Sequence, residues 1–292
     1  MEQRFDRKTE DFGNVVGLEH VNVRIPDQRI ATLFYVTGMG LTRDPYIMTG
    51  TTNMWINVGR SQFHLPTGKP QVVRGRAGLV VPEREALLQR LAGVRKQLKG
   101  TRFAVKEHNA FVEVTSPWGN CIRCHEPEER FGRITLGMPY VEFDVAPGTA
   151  DGIARFYRQI FKAPASVGED EHGRHARVPV GHRQELVYRE SDAPAPAYDG
   201  HHIQIYIADF SGPYRRLLDK GLVSEESDQH QYRFQDIVDP ESGKLLYTIE
   251  HEVRSMRHPL YNRPLVNRNP AQTNMNYAPG HDAWAWSMAH GD

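Results

Sequence analysis

The sequence predicts an α+β chain built from four βαβββ modules, and three observations carry that prediction. The stretch Gly17-Leu18-Glu19-His20-Val21-Asn22-Val23-Arg24-Ile25 alternates apolar and polar residues as a half-buried strand does, and a run with helical spacing follows it. About 180 residues later, Gly200-His201-His202-Ile203-Gln204-Ile205-Tyr206-Ile207-Ala208-Asp209 repeats the arrangement, with His202 seven positions before Asp209 as His20 is seven before Asp27. Turns recur as well: Val58-Gly59-Arg60-Ser61-Gln62 matches Val180-Gly181-His182-Arg183-Gln184, and Ser116-Pro117-Trp118-Gly119-Asn120 matches Asp239-Pro240-Glu241-Ser242-Gly243-Lys244. Modules one and three therefore resemble each other, as do two and four, which is the mark of a duplicated two-module unit.

Each element has a local reason. Residues 1–14 are charged and unpatterned, and read as a loose arm. In the first strand, residues 17–25, alternation sends Leu18, His20, Asn22 and Arg24 to one side and Glu19, Val21, Val23 and Ile25 to the other. Asp27 caps a helix over 28–37 whose stripe is Ile30, Leu33 and Phe34, and which stops at Gly38 and Gly40. Strands follow at 43–46, 53–58 and 61–65. The second module has a strand at 77–81, a helix from 83 to about 98 and strands at 102–106, 110–115 and 120–125. Residues 126–135, with Pro127 and Gly132, read as a linker. The third module has a strand at 138–145 and a helix at 151–161; the fourth has a strand at 202–208, a helix at 212–220 and strands at 231–238 and 245–250. Residues 15–126 and 134–254 thus form two successive module pairs. The tail, 255–292, carries His258, Tyr261, Tyr277, His281, Trp284 and Trp286, too aromatic for a solvated segment, and is expected to pack on the body or on a neighbour.

The 36 basic and 36 acidic residues cancel, so no net field draws the chain to nucleic acid or to an anionic membrane, and near-neutrality permits a homodimer. No apolar run approaches the roughly 20 residues of a membrane span, and the charged start lacks a leader pattern, so a cytoplasmic protein acting on a small molecule is expected. Cys121-Ile122-Arg123-Cys124-His125 matches the short haem-attachment pattern, but a strand points residues three apart to opposite faces, which argues against haem, disulfide and zinc alike. Phosphate loops and nucleophile elbows are absent, and the basic run 90–99 lies on the exposed side of the second helix.

Four such modules, with histidine on the first strand and Pro117-Trp118-Gly119-Asn120 or Asp239-Pro240-x-x-Gly243 before the last, resemble the vicinal oxygen chelate superfamily. That superfamily includes glyoxalase I, extradiol dioxygenases, fosfomycin resistance enzymes and bleomycin-binding proteins. The resemblance covers about residues 15–253. It implies two glyoxalase-like cupped-sheet domains, one of which holds a divalent metal between the first and last strands of paired modules. By this resemblance His20, His202 and Glu250 are the metal ligands, for Fe²⁺ first and Mn²⁺ or Zn²⁺ otherwise. His64 and Tyr247 become the catalytic candidates, and Gln62, Trp55, Tyr206 and His251 the substrate contacts. Counting from Gly243 places the usual family glutamate at Tyr247, so Glu250 faces the cup only if the strand bulges.

Two module pairings are compatible with the resemblance: one with two, as in extradiol dioxygenases, or one with four, as in single-chain glyoxalase I. The second is favoured, because it brings His20, His64, His202 and Glu250 into one cup. The implied function is a metal-dependent enzyme for a substrate with vicinal oxygens, leaning to an extradiol ring-cleaving dioxygenase. The alternatives are a glyoxalase-like isomerase or lyase, or a metal-free protein sequestering an aromatic ligand against Trp55, Tyr140, Tyr206 and the tail aromatics.

Overall fold

The computed structural model describes residues 5–47 and 50–278, so His281, Trp284 and Trp286 of the tail lie outside the described residues. Module one comprises β1 (Val15–Asn22), α1 (Gln28–Ala31), β2 (Thr42–Arg43), β3 (Asn53–Val58) and β4 (Ser61–Pro66). Module two comprises β5 (Gly75–Val80), α2 (Arg84–Val94), β6 (Ala104–Glu107), β7 (Val112–Thr115) and β8 (Cys121–His125). Module three follows with β9 (Gly137–Val145), α3 (Ala150–Phe156), β10 (Ser166–Asp170), β11 (Gly173–Pro179) and β12 (Glu185–Glu190). Module four ends the body with β13 (His202–Ile207), α4 (Ser211–Leu218), β14 (Val223–Asp228), β15 (Gln231–Val238) and β16 (Leu245–Ser255). The Asp27 carboxylate accepts from the backbone N–H groups of Arg29 and Ile30 and so starts α1. After α1 and α3 the helical turns widen to π geometry, over Thr32–Gly38 and Tyr157–Phe161, so the two helices read at 28–37 and 151–161 are α only in their first halves.

The sixteen strands form two eight-stranded sheets, ordered β14-β15-β16-β13-β1-β4-β3-β2 and β10-β11-β12-β9-β5-β8-β7-β6. Module one therefore shares a sheet with module four, and module two with module three. The segments 15–126 and 134–254 each give one module to each sheet. At both junctions the first strands of the paired modules run antiparallel, with Val21 opposite Ile203 and Ala77 opposite Val141.

Helix α3 packs on both sheets, against β11 of the second and β15 of the first, and each sheet keeps an outer face turned away from it. Tyr157, in the widened turn after α3, bonds Tyr188 of the second sheet and, at 2.5 Å, His251 of the first. One core cluster accordingly runs through both sheets, including Phe34, Tyr35, Phe143, Phe156 and Phe234. The turns that recur in sequence meet at the junction. The Gln184 amide bonds Leu18, Ser61 and Met138. Gly59 has φ +64°, and a Cβ there would stand 2.1 Å from the Leu136 carbonyl, so only glycine fits.

Residues 126–135 are less open than a linker, since Phe131 and Ile134 pack on Val80 and Tyr140. The described tail crosses module one: Asn267 brackets Gly59 with bonds of 3.0 and 2.9 Å, Asn57 donates to the Val266 carbonyl, and Arg263 reaches Asp44 at 2.7 Å. Among the described residues, no helix is long and apolar enough to cross a membrane.

Candidate metal centre

β1 is the middle strand of the site, flanked by β4 on one side and β13 on the other. Asn22 stands opposite His64 and His202, while His20 stands opposite Gln62 and Gln204. Strand alternation puts these six side chains on the outer face and sends Val21, Phe63 and Ile203 to the core. One ligand atom each from His20, His64 and His202 then lies within 4.8 Å of the others. The His20 ring centroid is 5.6 Å from that of His64 and 5.8 Å from that of His202. Trp55 stacks on His64 at 3.9 Å and meets the His20 ring edge-on at 4.9 Å.

Two carboxylates fix which ring nitrogen carries the proton. A register shift between Leu18 and His20 turns Glu19 toward its neighbour, so that Glu19 Oε2 is 3.2 Å from His20 Nδ1. Glu250 Oε1 is 3.3 Å from His202 Nδ1. With Nδ1–H facing a carboxylate, the Nε2 lone pair of each ring is free. Nε2 of His20, His64 and His202 is buried and has no hydrogen-bond partner. Burial, and then the positive charge of Arg254, holds His20 well below the usual imidazole range and His64 down to about 3. Burial, followed by His20 and Arg233, does the same to His202. All three imidazoles are thus neutral at pH 7, the form that ligates a metal.

The acidic position differs from the sequence expectation. Matching His20 with His202 about the Val21–Ile203 pair superposes Asn22 on Gln204, and their neighbours His64 and Glu252 on each other. Glu252, not Glu250, is therefore the counterpart of His64. Its Oε2 is 3.6 Å from His202 Nε2, and its carboxylate is held by Arg233 and Arg254 at 2.6 Å each. Glu250, expected to be a metal ligand, lies on the Nδ1 side of His202 and is bonded by Arg233 at 2.6 Å and Gln235 at 3.2 Å, so it orients the ring.

Glu250 faces outward because Tyr247, Ile249, His251 and Val253 alternate with it as buried core residues. Tyr247, expected to be catalytic, faces that core against Phe143 and Tyr188, with its ring under the Arg74 guanidinium. His251, expected to contact substrate, stacks on Phe234 at 4.3 Å in the same core. Apolar residues at every second position of β16 were the signal for this, and counting from the turn overrode it.

The other candidates sit around the triad. Gln62 is beside His20, and its amide is spent on Asn57 at 2.6 Å and Asp44 at 3.3 Å. Tyr206 is one step removed: its hydroxyl donates to Glu19 at 2.9 Å and its ring helps line a cavity of about 330 Å³ closed by Tyr261 and Arg263 of the tail. Sequence reasoning missed Glu19, Gln204, Arg233, Glu252 and Arg254, which belong to the site only once β1, β13, β15 and β16 are in register.

No family model and no curated protein matches the chain. Solved structures do. A Bacillus subtilis protein proposed to be a dioxygenase aligns at a TM-score of 0.57 with 16% identity, covering 84% of this chain and 87% of its own. Glyoxalase I from Zea mays aligns at 0.56 with 11% identity, covering 82% and 92%. The chain has the vicinal oxygen chelate fold. The donor set fits a divalent ion: three neutral imidazoles with unused buried lone pairs, and a carboxylate alongside. Imidazole donors suit Fe²⁺ or Zn²⁺, whereas Ca²⁺ and Mg²⁺ prefer oxygen.

Proposed function

We propose that this chain is a metal-dependent enzyme for a small substrate with two adjacent oxygens, and that its reaction is extradiol cleavage of a catechol-like ring. The supporting observation is the set of three buried Nε2 atoms without partners. Each buried acceptor left unmade costs about 1–3 kcal/mol, a cost that a bound ligand would offset. His20, His64 and His202 would hold the ion, Fe²⁺ first and Mn²⁺ or Zn²⁺ otherwise, with Glu252 beside it. A bound Fe²⁺ supplies Lewis acidity and access to dioxygen.

The chain's own groups do the rest. Glu19 and Glu250 hold the rings in the ligating tautomer, and the Trp55 stack fixes the plane of His64. Gln204 is fully buried beside His20 with both amide atoms unpartnered, so it offers a donor and an acceptor to a substrate. Ring cleavage is favoured over isomerisation by the state of the acids. An isomerase needs a carboxylate free to take a proton from carbon, whereas Glu19, Glu250 and Glu252 are each bonded to Arg233 or Arg254.

The test is elemental analysis of protein purified without chelator, followed by incubation with catechols under air. About one iron, manganese or zinc per chain is expected, lost in His20→Ala and His202→Ala, with ring-opened product from the iron-loaded wild type. A protein that takes up none of these metals, or takes them up equally in both variants, overturns the enzyme reading. Metal-loaded protein without ring-opened product overturns the dioxygenase assignment.

A further inference from the structure

The second sheet repeats the geometry of the first with opposite chemistry. Matching its modules about the Ala77–Val141 pair gives Arg76 and Tyr140 the places of His20 and His202. The neighbours follow from register: Arg123, opposite Gly78, takes the place of His64, and Val187, opposite Glu142, takes that of Glu252. Where the first cup converges neutral imidazoles and a carboxylate, the second converges guanidinium and phenol groups around Glu142, which takes the place of Gln204 and is paired with Arg76 and Arg189. It also opens on a cavity of about 950 Å³.

We propose that this second cup is a separate binding site for an aromatic anion, received by Arg123, Tyr140 and Arg130. Arg123 lies over the Phe111 ring at 4.8 Å, its nearest carboxylate is 3.8 Å away on Glu113, and its Nε has no hydrogen-bond partner. Arg130 lies over Phe131 at 4.5 Å, and its Nη2 donates to His125 Nδ1 at 2.9 Å and to the half-exposed Glu128 carboxylate at 2.8 Å, which leaves its Nη1 and Nε for a ligand. A guanidinium over a phenyl ring still has N–H groups to offer a carboxylate. Burial, and then Arg130, holds His125 down to about 4, so this ring too is neutral. His125 Nδ1 meets both the Arg130 guanidinium, at 2.9 Å, and the Ala110 carbonyl, at 3.2 Å, while its Nε2 shares a hydrogen bond of 2.9 Å with the Tyr140 hydroxyl at the cavity wall.

Gly78 makes room for this: a Cβ there would come 2.2 Å from the Tyr140 ring. On the opposite wall Arg189 is held by Glu142 and Asp170 and Arg177 by Glu185. The Phe111 and Phe131 rings, 5.5 and 5.1 Å from His125, make this end of the cavity apolar.

The inference is independent of any metal and is tested on the full chain by fluorescence titration with 1-naphthoate and with its neutral isostere 1-naphthamide. Saturable one-to-one binding of naphthoate is expected, with the amide at least tenfold weaker. Arg123→Gln should weaken naphthoate binding about tenfold with an unchanged melting temperature, and His20→Ala should leave it untouched. Should Arg123→Gln fail to fold, Tyr140→Phe carries the test with a several-fold loss. The proposal is overturned by no saturation at millimolar naphthoate, by equal binding of the amide, by wild-type affinity in the Arg123 and Tyr140 variants, or by a loss in His20→Ala.

Discussion

Replacing Glu19 by Gln keeps the shape of the side chain and removes its charge, which isolates what the carboxylate does for His20. Glu19 makes three contacts: His20 Nδ1 at 3.2 Å, the Tyr206 hydroxyl at 2.9 Å and Arg254 at 2.8 Å. A glutamine oxygen can still accept from one of these donors. Arg254 keeps Glu252 at 2.6 Å, so its guanidinium is not left alone and the stability cost stays near 1–2 kcal/mol. The main loss falls on the metal. Removing the partner that fixes a ligand histidine lowers metal affinity 10–100-fold, or about 1.4–2.7 kcal/mol. Glu19→Gln is expected near the lower figure, because it can still hold Nδ1–H, and Glu19→Ala near the upper. Competition with a graded chelator measures the affinity, and thermal melting of metal-free protein measures the stability separately. Metal affinity within twofold of wild type in folded Glu19→Ala would refute the tautomer argument.

Two further outcomes follow from the same contacts. His64→Phe keeps the stack on Trp55 and deletes a buried nitrogen that has no partner, so the metal-free variant should melt about 2–4 °C higher while metal retention is lost; a lower melting temperature would contradict this. Asp239 accepts two bonds from Arg155 and others from the turn, and the Arg155 bond first of all pushes its carboxyl down to about 2. A depressed folded value means that its contribution is present above the ordinary carboxylate range and is lost as pH falls toward 2. Asp239→Asn should therefore cost about 1 kcal/mol at pH 7, with the gap to wild type closing between about pH 4 and 2, and a gap independent of pH would refute it.

Much of the molecule was legible because its signals are local. Strand alternation and the turn at Gly59 place β3 and β4 at 53–58 and 61–66, against an expected 53–58 and 61–65. The caps at Asp27 and Asp209 align His20 with His202, and alternation from Gln62 adds His64, so all three members of the triad could be named from sequence. β16 was misread for a physical reason. Distance from Gly243 fixes a residue's place only if the pairing is regular, and β15 and β16 shift register between Phe234 and Asp236 and again between Ile237 and Val238.

The sequence by itself determined the four modules, the strand faces and the identity of the imidazoles, since period-two alternation and turn chemistry act over a few residues. Only the tertiary structure decided which modules share a sheet, because pairing between β1 and β13 depends on contacts more than 180 residues apart that leave no local trace. That pairing selects Glu252 over Glu250 and binds Arg233 and Arg254 to the acids. It also sets Arg123 and Tyr140 where the other cup has histidines. A side chain's chemistry is written in the chain, but which charges it meets is settled by the register of strands that are neighbours only after folding.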